Sequence, residues 1–161
     1  MSVTDLYRRE RPGLLRLAVL LVGDSAQAED LVQDAFVALH RRWRSLTDPS
    51  AAAGYLRVSV VNGARSAHRR RSVARRHLRV GEPDAPSADA DLLVAEEHRE
   101  VLAAVRKLPQ RQQEVMVLRY WAGLSEAEIA ETLGVSRGTV KTCASRAIAT
   151  LGDRLGVHNG H

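Results

Sequence analysis

The stretch 118–151, LRYWAGLSEAEIAETLGVSRGTVKTCASRAIATL, constrains this chain more than any other. Ser125 stands three residues before Glu128 at the head of an apolar-periodic run, the pairing of a capping box that starts a helix. Ile129, Ala130 and Leu133 then share one face at helical spacing. Gly134 suits the left-handed conformation that ends a helix, Val135 plugs the turn, and Ser136 caps a second helix. Along that helix Val140, Ala144, Ala147, Ile148 and Leu151 mark the inward face, while Arg137, Thr139, Lys141, Thr142, Ser145 and Arg146 lie on the rest. Two short helices joined by a tight turn, the second basic and polar outside, are the layout of a helix-turn-helix, which lays its second helix in the DNA major groove. No acid falls between Arg137 and Thr150. A helix that merely faces solvent usually mixes signs, so the asymmetry favours a polyanion.

The remainder reads as helix too. Aromatics are only 4% of the 161 residues, so a core must be built mostly from Leu, Val and Ala, and few segments alternate with period two. The expected fold class is all-α: two small helical domains joined by a flexible acidic linker, the second a four-helix domain ending in the helix-turn-helix. Leu14, Leu17, Ala18 and Leu21 form one helical face, with Pro12 suited to the first turn of that helix and Gly23-Asp24 ending it. Asp24 or Ser25 caps the next. There Ala28, Leu31, Val32, Ala35, Phe36, Leu39 and Trp43 trace the clearest amphipathic stripe in the chain. After a loop at 45–51, a third helix turns Tyr55, Leu56, Val60, Ala64 and Ala67 inward and an arginine-rich face outward. Later helices are expected at 93–108, from Pro109-Gln110, and at 115–121. The domains are read as 1–80, a linker 81–91 (GEPDAPSADAD) without a large apolar residue, 92–155, and a tail 156–161.

Charge follows the same division. Residues 1–80 hold 15 arginines against 7 acids, a net of +8; residues 81–100 net −6; residues 101–161 net +3. Two basic blocks flanking an acidic connector point to a polyanionic partner. Cys143 is the only cysteine, which excludes an intrachain disulfide and a cysteine-based zinc site and fits a reducing cytoplasm. A small half-buried residue is its ordinary reading, a redox switch the lesser one. Leu14–Val22 is apolar but short and broken by Arg16, so neither a signal peptide nor a membrane span is expected. His40, His68, His77 and His98 show no convergent metal spacing, and no phosphate-binding glycine loop or catalytic triad pattern appears. No enzyme activity, cofactor or metal is therefore expected.

The blocks AEDLVQDAFVALHRRW (28–43), YLRVSVVNGARSAHRRR (55–71) and LPQRQQEVMVLRYWAGLSEAEIAETLGVSRGTVK (108–141), in that order, resemble the short two-domain extracytoplasmic-function (ECF) sigma factors of the sigma-70 family, and within them the actinobacterial SigE-family subgroup. The resemblance implies a protein that binds core RNA polymerase, directs it to promoter DNA and helps to open the duplex, usually under restraint by an anti-sigma factor. It implies that Asp30, Gln33 and Asp34 contact the coiled coil of the largest polymerase subunit; acids here also suit the helix dipole. It implies that Asn62, Arg65, Ser66 and Arg69 meet the −10 element, and that the loop 45–54 receives a base flipped from the non-template strand. It implies that Lys141, Thr142, Ser145 and Arg146 read the −35 major groove, whereas Arg137 and Thr139, at the helix N-terminus, suit phosphate. One departure stands out: this chain reads TVKTCASRA where many members carry Arg or Gln at the position of Cys143 and a larger apolar residue at that of Ala144, so family-typical −35 sequences are not expected of it. The helix-turn-helix alone also resembles LuxR-type regulators, which act without being polymerase subunits. Residues 1–80, lacking strand-helix alternation, argue against that alternative.

Overall fold

The computed structural model describes residues 2–46, 48–78 and 96–155, and the regular structure there is helical throughout. Contacts divide the chain into two units, Met1–Leu93 and Val94–His161, each considered by itself. The expected linker 81–91 and tail 156–161 lie outside the described residues.

The first unit packs three helices against one another: α1 (Val3–Val22), α2 (Ser25–Arg42) and α3 (Ala52–Leu78). α1 begins at Val3, nine residues before Pro12. Its start is a capping box, in which the Asp5 N–H donates to Ser2 Oγ at 3.1 Å and the Ser2 N–H to Asp5 Oδ2 at 3.3 Å. Pro12 therefore lies inside the helix, on its exposed side. The hydrogen bond its missing N–H forfeits leaves the Arg8 carbonyl to water rather than to a dry core. Leu6, Leu14, Leu17, Ala18, Val19 and Leu20 are buried, whereas Leu21 is only half-buried.

Asp24 caps α2, its Oδ1 accepting from the N–H groups of Ala26 (2.8 Å) and Gln27 (3.2 Å). Ala28, Val32, Ala35, Phe36 and Leu39 supply the buried stripe, while Leu31 and Trp43 are half-buried at its margins. The loop after α2 is more ordered than its composition suggests, with single 3-10 turns at Trp43–Ser45 and Pro49–Ala51. In α3, Leu56, Val60, Val61, Ala64 and Ala67 face inward. Gly63 marks a close approach: a Cβ there would lie 2.6 Å from Leu31 Cδ2, so α2 and α3 pack with no room for a methyl group unless Leu31 moves.

The second unit contains α4 (Glu96–Arg106), α5 (Gln110–Met116), α6 (Glu126–Leu133) and α7 (Arg137–Leu155). α5 does not end at Met116 but widens into a π turn, Val117–Trp121, closed by the Ala122 N–H donating to the Val117 carbonyl at 3.1 Å. Leu102, Val105, Val115, Val117, Leu118, Ile129, Leu133, Val140, Ala144, Ala147 and Leu151 form the core. Ile148 was expected among them but is 40% exposed. It falls at the edge of the inward stripe, beside Ala147, which takes the central place.

Candidate functional site

The helix-turn-helix is assembled by local hydrogen bonds. The Glu128 N–H donates to Ser125 Oγ at 3.1 Å, and the Ser125 N–H to Glu128 Oε1 at 2.9 Å. Gly134 has φ 68° and ψ 36°. Its N–H donates to the Glu131 carbonyl (3.4 Å) and the Val135 N–H to the Ala130 carbonyl (3.0 Å), the paired bonds of a Schellman turn. Ser136 caps α7 by accepting from the Thr139 N–H at 3.1 Å. Thr139 Oγ1 lies 3.0 Å from the same Ser136 Oγ, so this threonine is part of the cap as well as an outward residue.

Arg137, Thr139, Lys141, Thr142, Ser145 and Arg146 are all exposed, opposite buried Val140, Ala144 and Ala147. The acid-free face expected from α7 alone is not acid-free in space. Glu126, the first residue of α6, places Oε1 3.4 Å from Arg137 Nε and 3.9 Å from Lys141 Nζ. The sequence of one helix could not reveal a partner supplied by its neighbour. A second feature missed from sequence is Glu114 on α5, which is buried and lies 3.9 Å from Arg111, whose Nη1 donates to the Leu133 carbonyl at 3.5 Å. Arg111 thereby ties α5 to the end of α6.

In the first unit, Asp30, Gln33 and Asp34 are exposed at i, i+3, i+4 spacing, across α2 from Val32, Ala35 and Leu39. Gln33 also borders a groove of about 430 Å³ between α1 and α2, floored by Val32 and Phe36. Tyr7 and Val37 flank it and are themselves exposed. Tyr7 meets Phe36 edge-on at 4.9 Å, and Arg11 lies over the Tyr7 ring while reaching Glu29 at 3.9 Å.

On α3, Asn62 and Arg69 are exposed and Arg65 and Ser66 half-buried, all on one face, with Arg69 Nη2 donating to Ser66 Oγ at 3.4 Å. The arginine run 69–71 divides in function. Arg70 faces solvent, whereas half-buried Arg71 donates to the Val22 carbonyl at 3.2 Å and to Gln27 Oε1, clasping the α1–α2 corner. In the loop, Asp48 Oδ1 accepts from the Ser50 hydroxyl (2.7 Å) and N–H (3.0 Å), which holds its carboxyl below its ordinary range. His40 and His68 are exposed; the side chains of His77 and His98 lie outside the described residues. Cys143 is half-buried on α7.

These two units coincide with known families. Residues 6–79 match Sigma-70 region 2, and residues 98–151 match Sigma-70, region 4. The RNA polymerase sigma-E factor of Streptomyces coelicolor is 34% identical over 161 residues, an alignment covering 96% of this chain and 86% of that protein. The ECF RNA polymerase sigma factor SigM of Mycobacterium tuberculosis is 36% identical over 156 residues, covering 96% and 78%. Among solved structures, the sigma factor RpoE of Bartonella quintana, crystallised with the anti-sigma factor NepR, has the same fold (TM-score 0.80, 23% identity, 97% of this chain and 98% of that one). CnrH, solved with the cytosolic domain of CnrY, superposes with a TM-score of 0.72 at 25% identity, covering 98% and 89%.

The chain belongs to the extracytoplasmic-function group of the sigma-70 family: it is an alternative sigma factor, an RNA polymerase subunit that acts in transcription initiation. A LuxR-like regulator is disfavoured, because the upstream unit is region 2.

Proposed function

We propose that this sigma factor divides its work between its two units. Residues 1–80 dock on core RNA polymerase and engage the −10 element, residues 92–155 engage the −35 element, and 81–91 link them. Asp30, Gln33 and Asp34 take the polymerase coiled coil, with the apolar groove beside Gln33 extending that surface. Asn62, Arg65, Ser66 and Arg69 meet the −10 strand, where Asn62 has both a donor and an acceptor for a base edge. Lys141, Thr142, Ser145 and Arg146 read the −35 groove, and Arg137 and Thr139 approach phosphate. The protein works in the cytoplasm beside the polymerase, without catalytic activity of its own, and is restrained by an anti-sigma factor. No helix among the described residues is long and apolar enough to cross a membrane.

The observation that carries this reading is α2 itself: one side is fully committed to the core, while Asp30, Gln33 and Asp34 stand exposed opposite it. The test is the affinity of Asp30→Lys and Asp34→Lys for core polymerase. Both variants should keep the parent's thermal unfolding and bind core polymerase more weakly. Parental affinity in both would remove the assignment.

A further inference from the structure

The two cations at the start of α7 are not independent. Arg137 and Lys141 are separated by one helical turn, which brings their side chains over the same point. At that point lies a single carboxylate oxygen, Glu126 Oε1, 3.4 Å from Arg137 Nε and 3.9 Å from Lys141 Nζ. The two cations are largely exposed (68% and 70% of their side chains), whereas Glu126 is only 22% exposed. Glu126 is the first residue of a helix fixed by its own capping box, so the acid is the stationary member of the trio. Arg146, further along α7, has no such acid against it among the described residues.

We propose that Glu126 restrains the DNA affinity of the reading helix as a whole by occupying Arg137 and Lys141. The proposal rests on α7 being the helix that enters the −35 groove. Binding to arbitrary sequence is almost wholly a contact of cations with phosphate. For Arg137 and Lys141 to make that contact they must leave a carboxylate, which also repels the approaching phosphate. That cost arises in every complex in which both cations reach DNA, whatever its sequence. The acid thus lowers affinity for DNA without choosing between sequences.

The test uses the full chain and two labelled duplexes, one of random sequence and one enriched from a randomised pool by the unmodified protein. Glu126→Gln should tighten binding to the random duplex about three- to tenfold, the scale of two exposed ion pairs, and steepen its salt dependence by up to about one phosphate contact. The enriched duplex should gain by a similar factor, so the ratio between the two is kept. Glu131→Gln makes the same change of charge at an exposed site on α6 and should tighten either duplex by less. In an Arg137→Ala Lys141→Ala background the effect of Glu126→Gln should shrink to that of Glu131→Gln. An unchanged affinity and salt slope in Glu126→Gln would overturn the proposal, as would a gain of undiminished size without the two cations. If the Arg137→Ala Lys141→Ala protein binds both duplexes as the parent does, the fault lies instead in taking α7 as the DNA-reading helix, and the proposal falls with it.

Discussion

Replacing Gly134 by alanine isolates the backbone geometry on which the helix-turn-helix depends. At φ 68° the residue sits in the left-handed region, and a Cβ built there meets nothing within 4 Å. Packing therefore contributes nothing to the effect, and the whole penalty is the backbone's own, roughly 1–2 kcal/mol for a non-glycine residue. If the residue escapes that strain by changing conformation, the bonds from its own N–H and from the Val135 N–H to the end of α6 are lost, and the angle between α6 and α7 is no longer held. For a domain of this size, each kcal/mol moves the unfolding midpoint by about 4–8 °C, so Gly134→Ala should lower it by about 4–16 °C. Gly134→Asn should fall by less, because asparagine tolerates this region. Gly13→Ala supplies the opposite sign. It also has nothing within 4 Å but lies inside α1 without a positive φ, so it should gain roughly 0.5–1 kcal/mol. Helical ellipticity followed through thermal unfolding of the full chain reads all three. A Gly134→Ala protein that melts with the parent, or a Gly134→Asn protein that melts below Gly134→Ala, would refute the reasoning.

Arg71→Ala should destabilise the first unit by roughly 1–3 kcal/mol in urea unfolding, since it removes a charged donor to the Val22 carbonyl and Gln27; exposed Arg70→Ala should not, and equal losses would contradict the clasp. Hydrogen bonds from the Ser2 backbone and then its hydroxyl hold the Asp5 carboxyl below its ordinary value of 3.8, and those from the Ser50 hydroxyl and then its backbone do the same for Asp48. Their stabilisation is complete above that ordinary value and is lost as pH falls through the lowered one, so Asp5→Asn and Asp48→Asn should show a shallower loss of stability in acid titrations. Arg146→Ala should lose discrimination at one −35 base position, worth roughly 1–3 kcal/mol, whereas Arg137→Ala should weaken all duplexes alike; binding to a panel of single-base variants separates the two.

What was legible in the sequence was what short-range chemistry fixes. The Ser125–Glu128 capping box and the Gly134 turn depend on residues within a few positions of one another and appear as read; of the two caps offered for α2 Asp24 is the one used, and its stripe holds except at Leu31 and Trp43, which are half-buried. The errors arose where a local signal had a rival. Pro12 is compatible with a helix start, but Ser2 and Asp5 form a stronger one, and the exposed face of α1 tolerates the proline. Ile148 sits at the margin of a stripe whose centre Ala147 already fills. What could not be read were partners brought from another helix: Glu126 against Arg137 and Lys141, Arg71 against Val22 and Gln27, and Gly63 against Leu31. Each joins residues whose proximity exists only after the helices have packed.

The most direct measurement is run-off transcription by purified core RNA polymerase on a library of genomic fragments, with and without this protein. With the protein added, discrete start sites should emerge, each preceded by shared −10 and −35 sequences at a fixed separation. Transcripts no different from those of core enzyme alone, under conditions where the protein is folded and in excess, would contradict the assignment of this chain as an initiation subunit.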